Sequence, residues 1–267
     1  LPLSLETGRS PIYELTSKAF RREPVDDRAC LPETGRRAYP DHEGTTMNFE
    51  AARTKMVDNQ IRTTDVTSHS ILSAFLSVPR EEFVPAKMKE LAYIDTDIAL
   101  EVANGNAPRF LMEPSPLAKL LQLAEIAKSD VVLEIGCGTG YASALLSQVA
   151  GSVVALESDE GLAATATETL SRLGYDNIAV VTGELEKGYA AEAPYDVIFV
   201  HGSVEVLPTA LFGQLRDGGR LVVVEGFGNA SRAKLYVHEH GKTSERPDFN
   251  TAVKPLPGFR RAQEFVF

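Results

Sequence analysis

Residues 131–141, VVLEIGCGTGY, constrain what this chain can fold into more than any other stretch. Val131, Val132, Leu133 and Ile135 read as a buried parallel strand. Gly136, Gly138 and Gly140 follow at every second position and read as a tight turn, with Cys137 inside it. Residues 142–150 then place Leu145, Leu146 and Val149 on one face of a helix. Strand, glycine turn and helix together bring a ligand against bare backbone and a helix N-terminus, and a Cβ there would hold the ligand off. The spacing narrows the ligand. A dinucleotide turn runs G-x-G-x-x-G, and a phosphate loop ends in Lys-Ser or Lys-Thr; this turn has neither. Glu134, just before the first glycine, repels a pyrophosphate and suits a ligand carrying positive charge. The next strand, 152–156, ends at Glu157. That is about twenty residues past the first glycine, where an acid hydrogen-bonds ribose hydroxyls in Rossmann-like sites.

The 267 residues suit one α/β domain plus an appendage, enough to bury a sizeable core. A net charge of −10 argues against a nucleic-acid partner, because neutralising phosphates needs a basic face. The two cysteines, Cys30 and Cys137, are far apart and offer neither a disulfide framework nor metal-ligand spacing. That suits a reducing compartment such as the cytoplasm. No apolar run is long enough to span a membrane. The opening LPLSLETGRS lacks the basic region and apolar core of a secretory signal.

Residues 1–46 mix prolines and charges without a sustained period, and read as a disordered extension with a short helix at 12–20. LPETG at 31–35 matches a sorting signal in letters only, and Met47 suits a natural start. Helices are expected at 48–62 and 68–77, forming with the following loop a helical cap and substrate-side region over 47–112. An amphipathic helix over 116–126 opens the main domain, 113–267, with Leu117, Leu120, Leu121 and Ala124 on one face. Asp159 caps a helix to Arg172, and Gly174 ends it. Strands follow at 178–181 and 195–200, a helix at 208–215, and DGGRLVVVEG, 217–226, reads as a turn plus the fifth strand, with LVVV as a buried parallel run. Ala233 to His238 and Gln263 to Phe267 read as antiparallel edge strands.

The pattern E-x-G-x-G-x-G, Glu134 to Gly140, resembles motif I of the class I S-adenosylmethionine (SAM) methyltransferases. MVDNQIR, VPREEFVP and AYIDTDIAL, in that order ahead of it, resemble the N-terminal region of the protein-L-isoaspartate O-methyltransferases, and the likeness runs from Met56 to the end. The resemblance implies a Rossmann-like, mostly parallel doubly wound sheet with antiparallel C-terminal edge strands and a helical N-terminal cap. It implies SAM as cofactor and, as partner, a protein or peptide carrying isoaspartate, whose free carboxylate takes the methyl group. Glu134, Gly136, Cys137, Gly138, Gly140 and Glu157 are the matching cofactor residues. Gly183 and Glu184 follow the third strand, where the class places an acid facing the adenine amino group; a solvated loop acid is the other reading of Glu184. His201 leaves the fourth strand as a general base, a cofactor contact or a structural residue. The family's substrate loop carries an I-S-x-P block whose hydroxyl lies near the reacting carboxylate. Here the block is Leu111-Met112-Glu113-Pro114, so Met112 stands at the hydroxyl position. Arg109, three residues earlier, either binds a carboxylate or is a solvated charge. A changed acceptor, or SAM binding without turnover, remains compatible with these residues.

Overall fold

A computed structural model describes residues 47–103, 106–226 and 228–260. The expected extension over 1–46, with its helix and the LPETG letters, and the expected strand at 263–267 lie outside the described residues.

Helix α1, Phe49–Met56, starts where the Asn48 side chain accepts from the Ala51 N–H at 2.9 Å. It widens into a π turn over Val57–Ile61, tightens over Arg62–Thr64, and stops at Asp65, whose φ is +65°. Helix α2 spans His69–Ser77. A short antiparallel pair follows, β1 (Ile98–Ala99) with β2 (Phe110–Leu111). Helix α3 covers Pro114–Leu123, two residues ahead of the expected Pro116, because proline at the first helical position costs no backbone hydrogen bond. The Gln122 side chain on α3 accepts from the Thr67 and Ser68 N–H groups at 2.8 and 2.9 Å, which ties α2 down.

The main sheet follows the period-two and buried runs closely. Strand β3 is Val131–Ile135, α4 Tyr141–Ser147, β4 Ser152–Glu157, α5 Glu160–Arg172 and β5 Ile178–Thr182. Asp159 caps α5 as its position suggested, accepting from the Leu162 N–H at 2.9 Å. Strand β6 is Tyr195–Val204, α6 Thr209–Phe212, β7 Leu215–Glu225, β8 Arg232–Glu239 and β9 Lys242–Asn250. Seven strands align in the order β5-β4-β3-β6-β7-β8-β9. β5 through β7 are parallel, and β8 and β9 pair antiparallel. The sequence order reverses about β3, whose neighbours are β4 and β6, and such a reversal opens a crevice at the carboxyl ends of the strands.

Three local expectations change. β6 does not stop at Val200; it runs on through His201, Gly202 and Ser203. After a register shift Ser203 and Val204 pair with Val224 and Glu225 of β7, and a distant segment closes on the same residue: Ser203 N–H donates to the Lys254 carbonyl at 3.0 Å, and Leu256 N–H to the Ser203 carbonyl at 2.9 Å. The helix at 208–215 contracts to the four residues of α6. β8 is antiparallel as expected, but β9 covers its outer side, through a turn in which His240 and Gly241 have φ of +51° and +71°.

Met56, Ile61, Leu72, Phe75 and Phe83 of the N-terminal helical region are buried in the same cluster as Leu117, Val132, Leu145 and Val153. Between β5 and β6 there are only two single turns, Leu185–Lys187 and Ala190–Glu192. One face of β4 and β5 is therefore left with a hollow lined by Val131, Val154, Val181 and Tyr189.

Candidate active site

The crevice is built from the glycine turn outward. Gly136, Gly138 and Gly140 have φ of +87°, +59° and +93°. An L-residue is disfavoured in this region by about 1–2 kcal/mol, so the alternating glycines are what this path requires. The turn is clamped to β4, because Gly136 and Cys137 both donate to the Leu156 carbonyl, at 2.8 and 3.1 Å. The Gly138 N–H points at the next residue of β4 and donates to Glu157 Oε2 at 2.7 Å.

Glu157 is fully buried. Its Oε1 accepts from the N–H groups of Ser158 and Asp159 at 2.7 and 3.1 Å, and is paired with the Arg109 guanidinium. Arg109 is 4 % exposed, so it is not a solvated loop charge. Asp159 accepts at 2.5 Å from the Asn106 amide, which belongs to the same loop as Arg109. Burial works against the Asp159 carboxylate, but hydrogen bonds from the Leu162 N–H and from Asn106 outweigh it and hold its pKa below the ordinary value.

Glu134 is the second buried acid. It accepts from Ser143 Oγ at 2.5 Å, and its Oε1 lies 3.1 Å from His201 Nδ1. His201 Nε2 is buried and has no hydrogen-bond partner among the described residues. Between the two acids sits Cys137. Burial first, then the Glu134 and Glu157 carboxylates, push its thiol well above its ordinary value, so it is a packing residue and not a nucleophile.

The space above the glycines is filled by this chain's own side chains. A Cβ on Gly136 would lie 2.8 Å from Leu256 and 3.1 Å from Arg109 Nη2, and one on Gly138 would lie 2.9 Å from Leu100. What stays open is a cleft of about 160 Å³ lined by Asn106, Ala107, Arg109, Ser158, Asp159 and Pro257.

Thus Glu134, the turn residues Gly136, Cys137, Gly138 and Gly140, Glu157, Arg109 and His201 meet at the carboxyl ends of β3, β4 and β6. Gly183 borders them, its N–H donating to the Glu157 carbonyl at 3.0 Å. Glu184 and Met112 sit apart. Glu184 is 60 % exposed and paired with Lys187 at 2.6 Å. Met112 is buried in the main core, and its carbonyl accepts from Arg80 Nη2 at 2.8 Å. Sequence reasoning passed over Arg80, Asn106, Leu100, Leu256 and Ser143. Arg80 had a signal, its place inside VPREEFVP. It is wholly buried, donates to the Ala92 carbonyl at 2.7 Å and lies 4.8 Å over the Tyr141 ring, so it joins that block to the residue after the glycine turn. Beside it, Glu81 accepts from Tyr93 and pairs with Arg53 at 3.1 Å. Leu100 and Leu256 had no signal beyond being apolar. Among the described residues no group of metal-ligating side chains assembles, and no helix is long and apolar enough to cross a membrane.

Comparison with known proteins points to one family. The family model described as Protein-L-isoaspartate(D-aspartate) O-methyltransferase (PCMT) matches residues 51–257. A protein-L-isoaspartate O-methyltransferase of Koribacter versatilis is 40 % identical over 189 residues, covering 71 % of this chain and 81 % of the relative. A protein-L-isoaspartate O-methyltransferase 2 of Pelobacter propionicus is 34 % identical over 210 residues, covering 79 % and 91 %. A solved protein-L-isoaspartate O-methyltransferase superposes with a TM-score of 0.67 at 30 % identity, over 77 % of this chain and 66 % of that one. A putative member from Plasmodium falciparum, solved with S-adenosyl-L-homocysteine, shares the fold at a TM-score of 0.63 and 18 % identity, over 79 % and 99 %. On the match over 51–257 and the identity to these relatives, the chain belongs to the protein-L-isoaspartate (D-aspartate) O-methyltransferase family.

Proposed function

We infer that this chain is a SAM-dependent O-methyltransferase that methylates the free carboxylate of isoaspartyl residues in damaged proteins. The observation that carries the reading is the buried Glu157 at the end of β4, oriented by the Gly138, Ser158 and Asp159 N–H groups beside three left-handed glycines. Backbone and carboxylates fit SAM. Glu157 suits the ribose hydroxyls, the turn at 136–140 suits close approach of the ligand, and Glu134 with His201 suits the cationic amino-acid end. The side chains of Arg109, Leu100 and Leu256 share that space and must shift for it.

SAM supplies an electrophilic methyl group. The chain's own part is alignment and exclusion of water. A carboxylate acceptor is ionised at neutral pH, so no side chain has to remove a proton. His201 therefore serves as a partner of Glu134 and not as a base. Positioning of this kind accounts for much of a barrier when no acid–base step is needed. Met112 presents no hydroxyl to the acceptor, and its side chain is committed to the core.

The test is transfer of radiolabelled methyl from SAM to an isoaspartyl peptide, run beside the same peptide with normal aspartate. Label should appear in the first only, in a base-labile ester. Absence of label in both peptides would overturn the activity, and equal label in both would overturn the acceptor.

A further inference from the structure

Arg109 holds the carboxylate that the proposed function assigns to the ribose. We propose that Arg109 is the residue that binds the acceptor's carboxylate, and that it does so by leaving Glu157 as SAM arrives, so that donor and acceptor binding are coupled through one exchanged ion pair. The inference rests on the proposed function.

Three observations carry it. First, Glu157 Oε1 accepts from two backbone N–H groups, the Ser158 hydroxyl and Arg109, while among the described residues Oε2 accepts from Gly138 alone. A vicinal diol that uses both carboxylate oxygens needs the place Arg109 fills. Second, Arg109 Nη2 would lie 3.1 Å from a Cβ on Gly136, so the guanidinium occupies the approach to the turn itself. The cleft left beside it, about 160 Å³, is well below the roughly 300–1,000 Å³ of small-molecule sites. Third, an Arg109 displaced from Glu157 finds no free acid among the described residues of the site. Glu134 is engaged by Ser143 and His201, and Asp159 by Asn106 and the Leu162 N–H. A buried guanidinium without a partner is costly, so its release is unfavourable until an anion enters. The backbone after Arg109 is fixed: the Leu100 N–H donates to the Arg109 carbonyl at 2.9 Å, the Met112 carbonyl is held by Arg80, and the Glu113 N–H donates to Asp97 at 3.0 Å. The side chain, not the strand, therefore changes partner. An arginine fork matches a carboxylate bidentately and has no such match with an ester or an amide. The exchange thus favours the unmethylated acceptor and weakens the grip on the methylated product.

Coupling of this kind typically amounts to roughly 5–150-fold in affinity and is reciprocal. The experiment is calorimetric titration of the full chain with S-adenosyl-L-homocysteine, alone, with saturating isoaspartyl peptide, and with the methyl ester of that peptide. For the native chain the peptide should tighten binding at least about fivefold, and the ester should not. Arg109→Ala and Arg109→Gln should each bind S-adenosyl-L-homocysteine alone more tightly than the native chain, and the peptide effect should fall below twofold. Native affinity indifferent to the peptide, or variants that bind no better than native, overturns the exchange while leaving the cofactor reading intact. Failure of every form to bind overturns both. The peptide-against-ester comparison needs no variant and stands if a substitution prevents folding.

Discussion

Arg80 shows how one side chain can set the spacing between the two halves of the site. It reaches the Ala92 and Met112 carbonyls and lies over the Tyr141 ring, so the residues before β2, after it and after the glycine turn share a single anchor. Desolvation lowers its pKa, and burial raises that of Tyr141 to about 12 even with the cation nearby. Arg80→Met keeps most of the volume but strands two buried carbonyls, at about 1–3 kcal/mol each. We expect the melting temperature to fall by at least about 4 °C, since roughly 2–4 °C is lost per kcal/mol in a chain of this size. A melt within 1 °C of native would mean that water replaces the guanidinium. At this scale the sequence told a good deal about the donor side. Gly136, Gly138, Gly140, Glu134 and Glu157 belong to one strand–turn–helix–strand unit, where spacing alone carries the geometry. It told little of the pairs that close the site. Arg109 and Glu157 are 48 residues apart, and nothing in either neighbourhood announces the other. At Met112 the sequence draws attention to a missing hydroxyl; the backbone carbonyl, which every residue has, is what the structure uses.

At the scale of elements, legibility followed periodicity. β3, α4, β4 and α5 each have an apolar face or a fully apolar run, and each lies within a few residues of its expected bounds. β9 has neither, because it is exposed along nearly its whole length and carries Pro247. Its signal was the turn: His240 and Gly241, both at positive φ, form the two-residue connection whose twist suits a hairpin. The tip is also held to β7, where the His240 N–H donates to Asp217 at 2.5 Å. Gly241→Val forces a branched side chain into a left-handed position, a cost of about 1–2 kcal/mol, whereas Gly241→Asn is tolerated there. Chemical denaturation should show the valine variant losing stability on that order and the asparagine variant close to native. Equal losses would mean that the turn tolerates no side chain, whatever its φ. The extension of β6 past Val200 was hidden for a different reason. Its partner segment arrives 50 residues later, with Ser203 Oγ donating to the Val253 carbonyl at 3.1 Å, and local patterning holds no trace of such a closure.

For the whole molecule, the sheet is asymmetric about its site. The acids and the glycine turn stand on β3, β4 and β6 near the middle, and both margins are poorly covered. β5 is only half-buried, facing the hollow where two single turns replace a helix, and β9 is open to solvent on both faces. Amide protection tracks burial and the number of bonded neighbours. Deuterium should therefore enter β9 and β5 first and reach β3 and β6 last, near the limit set by global unfolding. Mass spectrometry of peptic fragments would reveal this order, and β5 retaining its protons as long as β3 would refute it. The consequence is temporal. Marginal strands can open and close many times while the amides that orient Glu157 stay locked, so the lifetime of the binding geometry is set by the slowest-exchanging layer of the protein and not by its loosest.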